Sequence, residues 1–588
     1  MTLSPGIRFL GRTLFAPTCL FFLLQALVIH PKYGLGIPVW KAPIVALLVL
    51  VAFLVGRNVL TQVYHARAAN AMGARLVPRA QGTWPGSVDL LQTLLKAART
   101  GYLGDSFAGL VQSLGSPVIN IRVLWEDKIF AVSPEHIQII LATDFKNYVK
   151  GKHFCSMMES VLGNGVFNSD GDMWSFHRSM TRPFFARDRF EHFEIFHRHT
   201  DTVIAHIKSR MAEGYAVDFQ DLISRLTMDS ATEFLFGSCV DSLACTPPYP
   251  HNASMKRSLN DSPRAQAANA FTEAYGEAMH QISLRQRLGW AWPLFEMFED
   301  KTAKPMEVVT KYIDPLIEAA LNKKLAEEKD MVYSSEDSCL LDELMKSTSD
   351  PKLLKDEIIN ILIGDTTMSV LTNVIYLLSS SPAVTARLRE EILAVVGPTG
   401  PPTYDDIKQM KYLRAVLNET LRLFPPVPFN IRQPLNSTIW PSPDPNEKPL
   451  YIPGGTTIMY SVMLMQRRPD LWGPDAHLFD PERFLDQRVQ KYNSHSFKFL
   501  PFNAGPRICL GQQFAYNEMS FVIIRLLQNF ASMTLDVDAC PPDARVPTEW
   551  SGQPGRKGIE KCVPRMHLTL YTQGGLWVKM EDAKAADA

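Results

Sequence analysis

Cys509 stands in the run Phe502-Asn503-Ala504-Gly505-Pro506-Arg507-Ile508-Cys509-Leu510-Gly511. A single thiolate between glycines, with an arginine two residues upstream, has the chemistry of an axial ligand to haem iron. Such a sulfur must be ionised, shielded from water, and approached closely by backbone N–H groups that tune its charge. Gly505 and Gly511 remove side chains that would block a tight loop passing under a flat macrocycle. Arg507 can reach a haem propionate as a charge-assisted partner. The other seven of the eight cysteines show no paired spacing and read as small buried hydrophobes.

Three further constellations could do chemistry. Glu419 and Arg422 lie three residues apart in Glu419-Thr420-Leu421-Arg422, on one helix face, and Arg483 of Phe479-Asp480-Pro481-Glu482-Arg483-Phe484 can complete a Glu–Arg–Arg cluster. A buried network of that kind is structural, and breaking it strands a charge. Trp174 and Arg178 are one helical turn apart, and both can donate to a carboxylate, of which haem carries two. Asp365-Thr366 pairs an acid with an alcohol, which can relay protons, and the alcohol can open a helix bond to make room.

Helices must carry most of these residues. Leu353–Ser379 is apolar throughout and ends before Pro382, and a second helix is expected over Tyr404–Leu423, stopping at Pro425-Pro426. Short strands are expected at Leu450–Pro453 and Thr456–Ser461, joined across Gly454-Gly455, and at Met566–Tyr571. Thr246–Arg264, rich in Pro, Ser and Asn, reads as an exposed loop. The fold class is mainly α with small β-sheets.

The Cys509 run matches the haem-binding signature Phe-x-x-Gly-x-Arg-x-Cys-x-Gly at every defined position, and the chain resembles the cytochrome P-450 family over roughly residues 87–580. The resemblance implies a triangular prism of helices, with haem b between the long helix and the cysteine loop. Glu419 and Arg422 then match the Glu-x-x-Arg helix and Arg483 its third partner. Trp174 and Arg178 match the Trp-x-x-x-Arg helix, and Arg432 fits a further propionate contact. Trp174, Arg178, Arg432 and Arg507 thus form the implied propionate set, with Phe502 and Gly511 also against the cofactor. Candidate pocket-lining residues are Val427, Pro428 and Phe429.

One motif departs from the family. Its pattern Ala/Gly-Gly-x-Asp/Glu-Thr-Thr/Ser stands here as Leu362-Ile363-Gly364-Asp365-Thr366-Thr367. Either Leu362 and Ile363 replace the small residues of the oxygen pocket, or one residue is missing before Asp365. A missing residue turns the upstream helix by about 100° relative to the downstream half. A narrowed site, a local bulge that restores spacing, and an assembly error in the coding sequence all remain open.

Lys+Arg and Asp+Glu are 60 each in 588 residues, so no global field points to nucleic acid. Few, unpaired cysteines suit a reducing compartment. Two apolar runs, Leu14–Ile29 and Ile37–Val55, are expected as a membrane anchor within residues 1–60, as a two-pass hairpin or as one pass plus an interfacial segment. Arg57, Arg67, Arg75 and Arg79 follow, which puts the remainder on the cytoplasmic side. Asn252, Asn260, Asn418 and Asn436, each in an Asn-x-Ser/Thr site, would then stay unmodified. Residues 61–86 are expected as a basic, proline-bearing linker, and 87–588 as the haem-thiolate domain.

Finer features, Leu226–Gly237, Leu423–Asn430 and Gly511–Glu518, resemble fungal alkane- and fatty-acid-hydroxylating members, and the double apolar run suits a basidiomycete version. The implied reaction inserts one atom of O2 into a C–H bond of an n-alkane or fatty acid. Electrons would come from an NADPH-dependent cytochrome P-450 reductase, with cytochrome b5 as an optional second donor, at the endoplasmic reticulum membrane. Oxidation of aromatic xenobiotics is the alternative substrate class, and a haem binder with impaired oxygenase activity the alternative function.

Overall fold

The computed structural model describes residues 4–12, 19, 22–23, 42–185, 191–254, 262–330, 339–362, 366–493 and 495–583. Helices dominate, with four small sheets among them. Thr366–Ser379, Lys411–Leu423 and Gln512–Asn529 pack into the largest apolar core, where Leu371, Val374, Leu417, Leu421, Ile523 and Leu527 are fully buried. A second core gathers Ile358 and Leu362 of Pro351–Leu362, Phe271 and Ile282 of Pro263–Leu288, and Leu235 of Phe219–Phe236.

The long helix expected over Leu353–Ser379 is described as Pro351–Leu362 and Thr366–Ser379, with residues 363–365 outside the described residues. The stretch is apolar and long enough to cross a membrane, yet it is buried in protein and is a core helix. The single helix expected over Tyr404–Leu423 is two, Tyr404–Gln409 and Lys411–Leu423, because Met410 is extended (φ −78°, ψ 93°). Glu391 starts the second one: its carboxylate accepts the N–H groups of Tyr412 (2.9 Å) and Leu413 (2.8 Å), which a helix start would otherwise leave unpaired.

The six-stranded sheet runs in the order 79–80, 118–123, 126–131, 457–461, 429–434, 148–149. Its central hairpin turns at Leu124 and Trp125, both at positive φ (51° and 62°), the turn geometry that matches strand twist. Leu450–Ile452 and Thr457–Ser461 do not form the expected hairpin. Gly455 (φ 77°) carries the chain from one sheet into another, so the first pairs with Thr438–Trp440 and the second with Phe429–Pro434 and Glu126–Ala131. The strand expected at Met566–Tyr571 is instead a hairpin of Pro564–Met566 with Leu570–Thr572.

Ala42–Ala71 is one helix of 30 residues, continuing beyond the apolar run expected to end at Val55. Leu48, Val51, Phe53, Val55 and Leu60 are exposed on it. The run Leu14–Ile29 lies outside the described residues except at 19, 22 and 23. Part of the stretch expected as linker is built into the sheets: Arg75–Leu76 pairs with the strand at Leu450–Ile452, and Arg79–Ala80 with Val118–Val123.

Candidate functional site

The Cys509 loop is held by its own backbone and by one close approach. Cys509 N–H donates to the Phe502 carbonyl (3.1 Å), and the buried Phe502 ring packs against Tyr516 at 5.3 Å. Gly505 is required: φ is +69°, and a Cβ there would stand 1.8 Å from the Leu141 carbonyl oxygen. Gly511 is different, because a Cβ would meet only Phe185 at an ordinary 3.7 Å. Its contribution within the protein is its N–H, aimed at the Cys509 sulfur. Gly511 also caps Gln512–Asn529, so the positive end of that helix faces the thiol.

The Cys509 side chain is solvent-accessible although protein surrounds it. Burial pushes its thiol up, while the Gly511 N–H and the Arg178 guanidinium pull it down. A sulfur so placed is poised for a ligand that seals it from water and binds the thiolate.

Beside the loop lies a group of cations. Lys150, Arg432 and Arg507 act on one another, with Asp170 the carboxylate among them. Arg507 donates to Asp170 Oδ1 (2.8 Å) and the Ser169 carbonyl (3.0 Å), and stacks on Trp174 at 4.6 Å, but its buried Nε has no partner among the described residues. Arg432 is buried, and its guanidinium donates, among the described residues, to the Ile431 carbonyl of its own strand. Lys150 Nζ sits over Phe154 at 4.6 Å, with no ion pair among the described residues. Burial, then Arg432 and Arg507, holds the Lys150 ammonium well below its usual value. Burial and Arg432 likewise pull Arg507 down to about 10.

Three basic side chains face one carboxylate in a poorly solvated place, an excess of two positive charges when all three are protonated. A haem presents two propionates, so the residues fit the group. Sequence reasoning grouped Arg178 with this set, but the structure brings it toward Cys509, while its helix neighbour Trp174 meets Arg507. Lys150 and Asp170 were missed. A lysine after a two-residue strand and an acid at a helix start carry no signal of their own.

Glu419, Arg422 and Arg483 lie together, and all three side chains are fully buried. Arg422 meets Glu419 in a fork, Nε to Oε2 and Nη2 to Oε1, both 2.7 Å. It also donates to the carbonyls of Gln466 (2.8 Å), Ala476 (2.7 Å) and Leu478 (3.1 Å). Arg483 reaches Glu419 Oε1 at 3.4 Å, Asp475 Oδ2 at 2.8 Å and the Trp472 carbonyl at 2.9 Å. Two arginines face two carboxylates, and the remaining donors reach carbonyls.

Thr366 is the first residue described in Thr366–Ser379 and is half-buried, and Asp365 lies outside the described residues. Of the pocket candidates, Phe429 packs against Phe107 (5.7 Å) and Phe130 (6.4 Å) in a small core of its own, Pro428 is buried and Val427 half-buried. A second unforeseen pair joins the helix of Trp174 to Pro351–Leu362. His177, between Trp174 and Arg178, sits 2.7 Å from the Glu357 carboxylate of Pro351–Leu362, and both are buried. The Val166 N–H donates to the same oxygen (3.0 Å).

Comparison with known proteins agrees with this arrangement. The profile of the family described as Cytochrome P450 matches residues 85–549. The chain is 36% identical over 463 residues to Cytochrome P450 52A12 of Debaryomyces hansenii, covering 77% of this chain and 86% of that protein. It is 37% identical over 451 residues to Cytochrome P450 52E1 of Candida apicola, covering 76% and 80%. It is 33% identical over 512 residues to Cytochrome P450 monooxygenase pvhE of Talaromyces variabilis, covering 83% and 90%.

Proposed function

Because the chain belongs to the cytochrome P450 family, we propose that it is a membrane-bound haem-thiolate monooxygenase that hydroxylates n-alkanes or fatty acids at or near the chain end. The observation that carries this reading is the pairing of an accessible Cys509 sulfur with a cation group two charges in excess. Bound haem supplies the oxidation, placing one atom of O2 in a C–H bond while the other leaves as water.

The chain's own residues do the rest. Cys509 would ligate the iron, and the Gly511 N–H, the helix end behind it and Arg178 offset part of the burial that otherwise pushes its thiol up. Lys150, Arg432 and Arg507 neutralise the two propionates, and Trp174 holds the Arg507 guanidinium in place. Glu419, Arg422 and Arg483 brace the loop without touching the cofactor. Thr366 Oγ1, with the Asp365 carboxyl beside it in sequence, moves protons to the reacting face.

The substrate class rests on the resemblance to fungal alkane and fatty-acid hydroxylases and on relatives that share the designation 52. The exposed apolar face of Ala42–Ala71 suits an anchor in the endoplasmic reticulum membrane, where such chains dissolve. A flavoprotein reductase would deliver electrons from NADPH on the cytoplasmic side.

The test is NADPH-dependent turnover of dodecane and lauric acid by the full chain with haem and reductase in a bilayer. Terminal or subterminal alcohols are expected. A haem-loaded protein that turns over neither, but gains activity when Ala-Gly-Arg is restored ahead of Asp365, would instead mark the native helix as defective.

A further inference from the structure

Away from the Cys509 loop, three side chains with metal-binding atoms meet where the Glu191–Ala212 helix packs against the Phe219–Phe236 helix. His199 comes from the first helix, Asp229 from the second, and Cys239 from the loop that follows it. One ligand atom of each lies within 4.8 Å of the other two. His199 and Asp229 are buried and Cys239 is half-buried. The loop turns back on its helix because Gly237 (φ 67°) and Asp241 (φ 61°), on either side of Cys239, are both left-handed.

Each of the three is held from behind and keeps capacity to bind. Glu233, one helical turn after Asp229, accepts from His199 Nε2 (2.9 Å), so Nδ1 is the nitrogen left for a ligand. A carboxylate on the far nitrogen is the usual outer partner of a metal-bound histidine, where it fixes the tautomer. Arg198 in turn donates to Glu233 Oε1 (2.5 Å). Asp229 Oδ1 accepts the Ser242 N–H (2.7 Å) and Oδ2 the Leu243 N–H (3.0 Å), which leaves a lone pair on each oxygen. The Asp241 N–H donates to Cys239 Sγ (3.2 Å).

Charge and donor type both point to a cation. The two nearby arginines are taken by other acids, Arg198 by Glu233 and Arg264 by Asp241, and the buried Asp229 has no lysine or arginine partner among the described residues. A buried carboxylate is ordinarily paired or coordinates a metal. An imidazole, a carboxylate and a thiol together suit Zn(II), while magnesium and calcium take oxygen alone. Tetrahedral zinc, with bonds of about 2.0–2.3 Å, sets its ligand atoms about 3.3–3.7 Å apart, so closure needs a shift of no more than about 1.5 Å. Cys239, on a loop, is the ligand free to make it.

We propose that His199, Asp229 and Cys239 form a zinc site, with Glu233 orienting His199 and water in the fourth position. Coordination releases the Cys239 thiol proton to solvent and needs no oxidant. The site lies outside the oxygenase reading and does not depend on it. Three residues before His199, Phe196 packs on Phe514 (5.3 Å) and Phe521 (6.1 Å) of the Gln512–Asn529 helix, so zinc here would brace the element behind the cysteine loop.

The experiment takes the full haem-loaded protein, strips it with a chelator, and titrates zinc against a fluorescent zinc chelator. One zinc per chain is expected, undisturbed by excess magnesium. Zinc-edge X-ray absorption should show one sulfur at about 2.3 Å beside nitrogen and oxygen at about 2.0–2.2 Å. Cys239→Ala should weaken zinc by roughly a hundredfold and Glu233→Gln by roughly tenfold. Zinc should also raise the melting temperature of the unaltered protein but not of Cys239→Ala. A shell of nitrogen and oxygen alone, displacement by magnesium, or equal uptake by Cys239→Ala would overturn the site and leave an adventitious ion only. The absorption shell of the unaltered protein decides the matter even if a variant fails to fold. An active oxygenase that takes up no zinc would sink the site and leave the oxygenase reading standing.

Discussion

Two buried charge clusters flank the Cys509 loop, and they are built on opposite principles. Around Glu419, two arginines meet two carboxylates, and their remaining donors reach carbonyl oxygens. Around Arg507, three basic side chains meet one carboxylate, and a buried guanidinium nitrogen is left without a partner among the described residues. The first cluster is complete within the chain and can only support. The second is complete only when two negative charges arrive from elsewhere, so its imbalance records the ligand. A buried unpaired polar group costs free energy, a cost that the propionates of the proposed cofactor would offset.

The largest expected effect breaks the balanced side. Glu419→Gln strands the buried Arg422 and leaves Arg483 with Asp475 alone, and chemical denaturation should show a loss of about 3–5 kcal/mol whether or not haem is bound. The unbalanced side should behave in the opposite way. Arg507→Gln or Lys150→Met should leave the haem-free protein as stable as before or more so, while haem dissociates roughly ten- to a hundredfold more readily, the worth of a charge-assisted bond at about 1.5–3 kcal/mol. Haem transfer to an acceptor globin reads the second quantity. A haem-free Arg507→Gln protein destabilised as severely as Glu419→Gln would erase the distinction.

Titration sharpens the contrast. The folded state holds Lys150 well below the value it has when unfolded. Between those two values the unfolded chain binds more protons, so stability of the haem-free protein should rise with pH through that window. Lys150→Met should remove that rise, and bound haem should flatten it by supplying negative charge. The smallest effect belongs to a pair in neither cluster. Lys346 and Glu343 are 2.7 Å apart with the lysine mostly exposed, and Lys346→Ala should cost no more than about 0.5 kcal/mol in the same denaturation assay.

The two clusters also differed in how far they could be read from sequence. Glu419 and Arg422 share a helix turn, which by itself fits a surface pair equally well, and the family resemblance supplied Arg483 as their third partner. The resemblance also grouped Arg432 with Arg507, but Lys150 and Asp170 come from separate segments, and only the packing of a strand end and a helix start against the cysteine loop brings them in. Helix content was legible from periodicity, but the break at Met410 was not, because it arises from an extended residue ahead of N–H groups that Glu391 captures from another helix. The sheet partners of Leu450–Ile452 were hidden for a similar reason: a Gly-Gly turn suggests a hairpin, and here it moves the chain between sheets.

The account stands on Cys509 as the iron ligand beside an unfilled pair of positive charges. The most direct measurement is the carbon monoxide difference spectrum of the reduced, haem-loaded protein, taken for the unaltered chain and for Cys509→Ser. The account predicts the red-shifted Soret band of a thiolate–carbon monoxide complex in the first and its loss in the second. Absence of that band in the unaltered protein, or its persistence in Cys509→Ser, would contradict it.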